Sequence, residues 1–146
     1  MPVNRSAPTA TVVPVLIYED VAKALEWLCG AFGFVERLRA AGPDGDITHA
    51  QLDIAEGAII IGKQGGPFTA QTTIVNQYVH ITVEDVDSHL EHAKQVGADI
   101  VEPPNNMPWG ERQYTARDHE GHWWAFSQHI ADIASEEWGA IPARGK

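Results

Sequence analysis

Glu19-Asp20-Val21, followed by Leu25, is the stretch that decides the fold, because it recurs as Glu84-Asp85-Val86, followed by Leu90. A second pair of similar stretches lies about 64 residues apart, since Glu56-Gly57-Ala58-Ile59-Ile60-Ile61 recurs as Glu120-Gly121-His122-Trp123-Trp124-Ala125. Self-similarity at a fixed period indicates two copies of one supersecondary unit. Positions at which the two copies differ are therefore the first places to look for function.

The first copy has the pattern of a strand, a helix and three further strands. Asp20 is a natural N-cap for a helix that runs to about Phe32, and Gly33 follows its end. The strands are predicted from alternating and apolar runs bounded by turn residues, at 12–18, 34–40, 46–54 and 58–62. The predicted unit is βαβββ.

The second copy repeats this order. A strand is predicted at 78–83, then a helix capped by Asp85 or Asp87 and stopped by Gly97. Further strands are predicted at 100–101, 112–117 and 123–128, with the proline-containing segment 102–110 as a loop. A short helix is expected at 130–138.

These elements predict one compact domain between two tails. Residues 1–10 form a proline-containing tail that we expect to be mobile. The domain spans 11–130, with module one at 11–62, a connection at 63–77 and module two at 78–130, and residues 131–146 form the terminal helix and tail. Each module alone would be marginally stable, so the two are expected to share a core.

Composition narrows the classes of partner and location. The formal charge of −10, from 20 acidic and 10 basic residues, disfavours binding to nucleic acid or to an anionic membrane. The single cysteine, Cys29, cannot form a disulfide within the chain, and the first residues do not resemble a signal peptide. No stretch approaches the roughly 20 apolar residues that span a bilayer. We therefore expect a cytoplasmic protein.

The order, spacing and duplication of these motifs resemble the vicinal oxygen chelate superfamily, which includes glyoxalases, dioxygenases and bleomycin-resistance proteins. The resemblance covers about residues 12–128 and is strongest at Phe32-Gly33-Phe34, at 84–87 and at 117–124. It implies an α+β fold in which two βαβββ modules form a curled, cup-shaped mixed sheet with the helices outside. It also implies a homodimer.

Members of this superfamily commonly hold a divalent metal on the first and last strands of each module. Matching those motifs residue by residue gives Val13, Ile61, Tyr78 and Ala125 in this chain. Aliphatic side chains and a phenol cannot replace the hydration shell of a divalent cation. The resemblance therefore favours the metal-free, ligand-binding branch of the bleomycin-resistance proteins, and no metal or other cofactor is predicted.

Strand alternation suggests which side chains would contact a small organic ligand. Tyr78, His80 and Thr82 point away from the apolar side of their strand, and Trp123 shares a face with Ala125. An indole ring offers a flat surface for stacking, and a few polar groups in an apolar site fix the orientation of a ligand. The remaining predicted ligand-binding residues are His49, Trp109, Arg112 and Tyr114.

Three other functions fit the same residues. One is a lyase, isomerase or dioxygenase with a divalent metal at a shifted site that includes His80. Another is metal-free acid–base catalysis by His80 or His49. The third is a cup filled by its own side chains, in a protein whose role is association with another chain.

Overall fold

The first module forms a four-stranded sheet with one helix. The computed structural model describes residues 4–71 and 75–143, and the first of its two compact units comprises Met1–Val75 with His119–Gly121. The elements run in the order β1 (Val15–Tyr18), α1 (Val21–Phe32), β2 (Val35–Ala41), β3 (Ile47–Ile54) and β4 (Gly57–Lys63). The sheet order is β1-β4-β3-β2, in which β1 and β4 are parallel and the other pairs antiparallel.

The second unit, Asn76–Asp118 with His122–Lys146, repeats this topology. Its elements are β5 (Val79–Thr82), α2 (Val86–Val96), β6 (Asp99–Asn106), β7 (Glu111–Arg117) and β8 (Trp123–His129), and a 3-10 helix follows at Ser135–Trp138. The sheet order is β5-β8-β7-β6, with β5 and β8 parallel. The predicted pair of βαβββ modules is therefore confirmed.

The helix ends lie where the capping residues predict. Asp20 Oδ1 accepts a hydrogen bond from Lys23 N at 3.0 Å, and Gly33 at the other end has φ 84°. Asp85, rather than Asp87, caps α2, because its Oδ1 accepts from Ser88 N at 3.1 Å. Each cap satisfies a backbone N–H that the first turn of a helix leaves without an intrahelical partner.

The core of each unit lies between its helix and one face of its sheet. In the second unit, the ring of His89 on α2 contacts Phe126 and Tyr114, with ring centroids 4.2 and 5.9 Å apart. These two aromatic residues are cross-strand partners and are almost completely buried. The α1 residues buried in the first unit are Val21, Ala24, Leu25, Leu28, Ala31 and Phe32. An apolar stripe of this kind faces the sheet that covers it.

Two predictions outside the core were wrong. β6 continues to Asn106 through a segment that was predicted as a loop, with register shifts on both sides of Glu102. Prolines are tolerated there because β6 is an edge strand. The segment predicted as a helix at 130–138 is helical only at Ser135–Trp138. Ile130 N and Ala131 N donate instead to the Gly110 carbonyl, at 2.9 and 3.1 Å.

The alignment of the two copies also needs a correction at the last strand. Val15 lies beside Ile60 in the first sheet, and His80 lies beside Ala125 in the second. The counterpart of Ala125 is therefore Ile60 rather than Ile61. Two residues, 55 and 56, connect β3 to β4, whereas five residues, 118–122, connect β7 to β8, a difference that the sequence repeat alone does not reveal. Within the described ranges, neither helix has the length and hydropathy needed to cross a membrane.

Candidate functional site

The second sheet has one face covered by α2 and one face without a helix. Phe126 and Tyr114 contact α2, and Gln128 Oε1 accepts a hydrogen bond from Val86 N at 2.9 Å, so these alternate residues mark the helix side. Because neighbouring residues of a strand point to opposite faces, the residues between them lie on the other side. We call this the helix-free face of the second sheet, comprising His80, Thr82, Glu111, Gln113, Thr115, Arg117, Trp123, Ala125, Ser127 and His129.

His80, Thr82 and Trp123 lie on this face, and their ligand-binding roles stay predictions. His80 and Thr82 are exposed, and they lie beside Ala125 and Ser127 of β8. Trp123 is partly exposed, and the Arg117 guanidinium carbon lies 5.9 Å from the centroid of its ring. This distance is typical of a cation–π contact. Arg117 was missed at the sequence level, since its role depends on the pairing of β7 with β8.

Tyr78 and Trp109 lie near the ends of the strands of the second sheet. Tyr78 directly precedes β5 and is 57% exposed. The indole Nε1 of Trp109 donates to Glu111 Oε1 at 3.0 Å, and its ring lies 5.8 Å from that of Trp138 in the 3-10 helix. Trp109 therefore contacts the C-terminal segment, and the ligand-binding roles of both residues stay predictions.

Arg112 and Tyr114 lie on the helix side of the second sheet, away from His80. The Tyr114 hydroxyl is 2.5 Å from His89 Nδ1, and burial raises the pKa of this phenol above its ordinary value. The guanidinium of Arg112 donates to both carboxylate oxygens of Asp87 and to Asn106 Oδ1. Both side chains thus connect the sheet to neighbouring elements of the same unit.

His49 lies in a polar cluster on the face of the first sheet that is opposite to α1. We call it the helix-free face of the first sheet. Its Nε2 is 3.1 Å from Nε2 of Gln51, which is only 3% exposed. Gln51 Oε1 accepts from Arg37 Nη1 at 2.5 Å, and Gln51 Nε2 donates to the Ser6 carbonyl at 2.8 Å. Arg37 Nη2 donates to the Arg5 carbonyl at 3.2 Å. Part of the tail that was expected to be mobile is therefore hydrogen-bonded to the sheet.

Arg37 lies at an irregular point of β2. Glu36 pairs with Leu52 and Leu38 pairs with Gln51, so one extra residue, Arg37, is inserted between successive pairs. Arg37 and Leu38 are thus both opposite Gln51. The sequence pattern indicated His49 but not Arg37, since the partners of Arg37 are Gln51 and Arg5, which are distant in the chain.

The residues at the family's metal positions do not fit a metal. Val13 and Ile60 are aliphatic, Tyr78 is an exposed phenol, and Ala125, beside His80, is completely buried. Ile61, first placed at one of these positions, lies on the helix side of its sheet and is also aliphatic. No cluster of three or more His, Cys, Asp or Glu side chains suited to a metal ion occurs among residues 4–71 and 75–143. The donor atoms that a divalent cation requires are thus missing from the matched positions.

The relatives of this chain include proteins of known structure and proteins known from sequence. TioX from Micromonospora sp. ML1 is 39% identical, with a TM-score of 0.69 over 83% of this chain and 99% of that chain. An uncharacterised protein from Mycobacterium tuberculosis is 32% identical over 133 residues, which cover 85% of this chain and 77% of the relative. The fosfomycin resistance protein FosX from Listeria monocytogenes, in complex with Mn(II) and a sulfate ion, has a TM-score of 0.64 at 16% identity, over 89% of this chain and 97% of that chain.

The likeness to FosX shows the fold alone, whereas the likeness to TioX and to the mycobacterial protein extends to the sequence. The model of the Glyoxalase/Bleomycin resistance protein/Dioxygenase superfamily matches residues 10–126. This range includes both βαβββ modules except for the last residues of β8. The chain therefore belongs to the Glyoxalase/Bleomycin resistance protein/Dioxygenase superfamily.

Proposed function

We propose that this protein binds a small organic ligand on the helix-free face of its second sheet, without the divalent metal of its metal-dependent relatives. The observation that carries the proposal is the chemistry at the matched positions. Ala125, which carries no donor atom, lies directly beside His80. His80 would supply one imidazole, Ala125 supplies no donor atom, and Thr82 and Ser127 supply only hydroxyl groups. This set lacks the donors of a typical metal site.

The side chains on this face suit a heteroaromatic ligand. The Trp123 indole supplies a flat surface for stacking, and His80, Thr82 and Gln113 supply hydrogen-bond donors and acceptors. Binding without chemical conversion would sequester a drug or a metabolite. The alternative, a metal-dependent lyase, isomerase or dioxygenase that uses His80, is tested directly by metal binding.

The metal test uses the purified chain and a pair of histidine variants. We expect no stoichiometric bound metal by elemental analysis, and no thermal stabilisation by Ni²⁺, Co²⁺, Mn²⁺ or Zn²⁺ that depends on His80. His92→Ala is the matched control, since His92 is exposed on α2. A stabilisation of several degrees that is lost in His80→Ala but kept in His92→Ala would support the metal-dependent enzyme and contradict the proposal.

The ligand test uses the intrinsic fluorescence of the five tryptophans. A panel of heteroaromatic compounds should include members that quench the fluorescence saturably in the wild-type chain. Quenching should be largely lost in Trp123→Phe and retained in Trp27→Phe, because Trp27 lies on α1 of the first unit. Absence of saturable quenching across a broad panel would favour the third function considered above, a protein that associates with another chain.

A further inference from the structure

We propose that Arg37, Gln51 and His49 form a second subsite, on the helix-free face of the first sheet, that binds carbonyl or carboxylate oxygens of a ligand. In the free protein the backbone carbonyls of Arg5 and Ser6 fill this subsite, and the ligand displaces them. The inference rests on the proposed function, because it assigns a second binding site for a small organic ligand to this chain, within the first unit.

The charge of Arg37 is the first argument. Arg39, Arg112 and Arg117 each form a salt bridge with a carboxylate. Within residues 4–71 and 75–143, the hydrogen bonds of Arg37 go to an amide oxygen and a backbone carbonyl, and no salt bridge joins it to a carboxylate. A guanidinium presents a planar fork of donors that matches a carboxylate. A carboxylate placed where the Arg5 carbonyl lies would provide the missing opposite charge.

The burial of Gln51 is the second argument. Its amide is nearly inaccessible, and the N-terminal segment supplies one of its hydrogen-bond acceptors, the Ser6 carbonyl. A buried amide N–H without an acceptor costs roughly 1–3 kcal/mol. When the segment leaves, another acceptor must replace the Ser6 carbonyl. An oxygen of a ligand meets this requirement at the same atom.

A comparison of the two modules is the third argument. The strand pairing makes Val101 the counterpart of Arg37 and Thr115 the counterpart of Gln51, since β6 has the same irregularity beside Glu102. The second module thus carries an aliphatic side chain where the first carries a guanidinium. This difference between the modules lies on the helix-free faces of their sheets. On the helix sides of both sheets, the buried residues are apolar. The cationic group is therefore a specialisation of the first module and not a requirement of the fold.

The N-terminal segment is suited to be displaced. Two hydrogen bonds, to the carbonyls of Arg5 and Ser6, link residues 4–6 to the sheet, and Asn4 Oδ1 accepts from Ser6 N at 2.9 Å within the segment. Arg5 and Ser6 are both exposed. Because two carbonyl hydrogen bonds connect these exposed residues to the sheet, opening the segment requires a small free energy relative to global unfolding. The carbonyls of Arg5 and Ser6 belong to consecutive residues. Their separation indicates the distance between two acceptor oxygens that the subsite accommodates.

The experiment measures release of the segment in the full-length chain. Trypsin cleaves after Arg5, and mass spectrometry follows the loss of residues 1–5. The probe is N-acetyl-alanyl-alanine, which carries two amide carbonyls and a carboxylate, and its C-terminal methylamide is the uncharged arm. The probe should accelerate cleavage after Arg5 saturably and several-fold. A larger effect of the acid than of the methylamide would identify the carboxylate as the group bound by Arg37, and equal effects would identify the carbonyls.

Two arginine variants on β2 provide the control. Arg37→Met should be cleaved faster after Arg5 without the probe, and the probe should no longer change the rate. Arg39→Met should behave like the wild type, since Arg39 pairs with Glu36 and not with the cluster. Circular dichroism and thermal unfolding verify that both variants are folded. Arg37→Lys keeps the charge without the planar fork and should respond weakly.

Two results would overturn the inference. The first is that the probe leaves the rate of cleavage after Arg5 unchanged in the wild type. The second is that the probe accelerates this cleavage in Arg37→Met as much as in the wild type. The proposed function is tested separately by fluorescence that depends on Trp123. Quenching by heteroaromatic compounds without any effect of the probe would thus refute the subsite alone.

Discussion

Asp118 shows how one buried side chain organises the turn before β8. Its Oδ2 accepts from the indole Nε1 of Trp124 at 3.1 Å, and its Oδ1 accepts from the backbone N of His122 at 3.0 Å. Trp124 is completely buried, so its N–H needs a partner inside the protein. With Trp124 held on the helix side, alternation places Trp123 on the opposite face.

Glu120 has a similar role in the first unit. Its carboxylate accepts from the backbone N of Glu19 at 2.8 Å and of Asp20 at 3.2 Å. The neighbouring His119 ring lies 6.1 Å from the ring of Tyr18 and 5.1 Å from that of Trp27. The carboxylate therefore satisfies backbone groups at the entrance to α1, where helices leave N–H groups without intrahelical partners.

The buried phenol of Tyr114 leads to a prediction about alkaline pH. Burial raises its pKa from 10.0, so the folded state disfavours ionisation that the unfolded state permits. The stability due to the neutral phenol is complete below pH 10.0 and is lost as the pH rises above it. Relative to Tyr114→Phe, the free energy of unfolding of the wild type should fall by up to about 1.4 kcal/mol per pH unit there.

Urea unfolding on both sides of pH 10.0 measures this difference. At neutral pH, Tyr114→Phe should lose about 1 kcal/mol, because the hydrogen bond with His89 is removed. Tyr78→Phe is the control, since Tyr78 is 57% exposed, and its pH dependence should match that of the wild type. Parallel alkaline slopes for the wild type and Tyr114→Phe would contradict the prediction.

At the scale of elements, the C-terminal segment is held by the turn at Gly110. Gly110 has φ 92°, and a Cβ at this position would overlap the Ala131 carbonyl and lie 3.1 Å from Ile133 Cγ1. Gly110→Ala should therefore combine backbone strain of roughly 1–2 kcal/mol with an overpacking cost of roughly 1–3 kcal/mol. Thermal and urea unfolding measure the loss of stability.

Gly121→Ala separates these two contributions. Gly121 has φ 91°, almost the same as Gly110, but nothing lies within 4 Å of the position of its Cβ. This variant should show the backbone strain alone. Equal losses of stability in the two variants would mean that the segment after β8 does not constrain the turn.

At the scale of the whole molecule, we expect a homodimer, as the family resemblance implies. Exposed apolar side chains on edge strands are consistent with a partner, and in the first sheet Val15 on β1 and Val35 on β2 are 56% and 65% exposed. Light scattering coupled to size exclusion should give a mass twice the 16.0 kDa of one chain. A mass of 16.0 kDa at every concentration would contradict this expectation.

The sequence by itself determined the two βαβββ modules, the ends of both helices and the apolar sides of the sheets. These features depend on local signals, such as Asp20 and Gly33 at the ends of α1 and the alternation that separates Trp123 from Trp124. It also placed His80 and Thr82 on one face of their strand and Trp123 on the same face as Ala125. Alternation within a strand is enough for that prediction.

The tertiary structure alone decided the features that depend on contacts between distant segments. These features include the bulge at Arg37 and the hydrogen bonds of Arg5 and Ser6 to the sheet. They also include the longer turn before β8, because of which Ile60 and not Ile61 is the counterpart of Ala125. The position of Tyr114 under α2 is another such feature. Strand register and hydrogen bonding between segments far apart in the chain are set by the packing of the whole unit. Local periodicity predicts which face of a strand is apolar, but not where a bulge or a longer turn shifts the register.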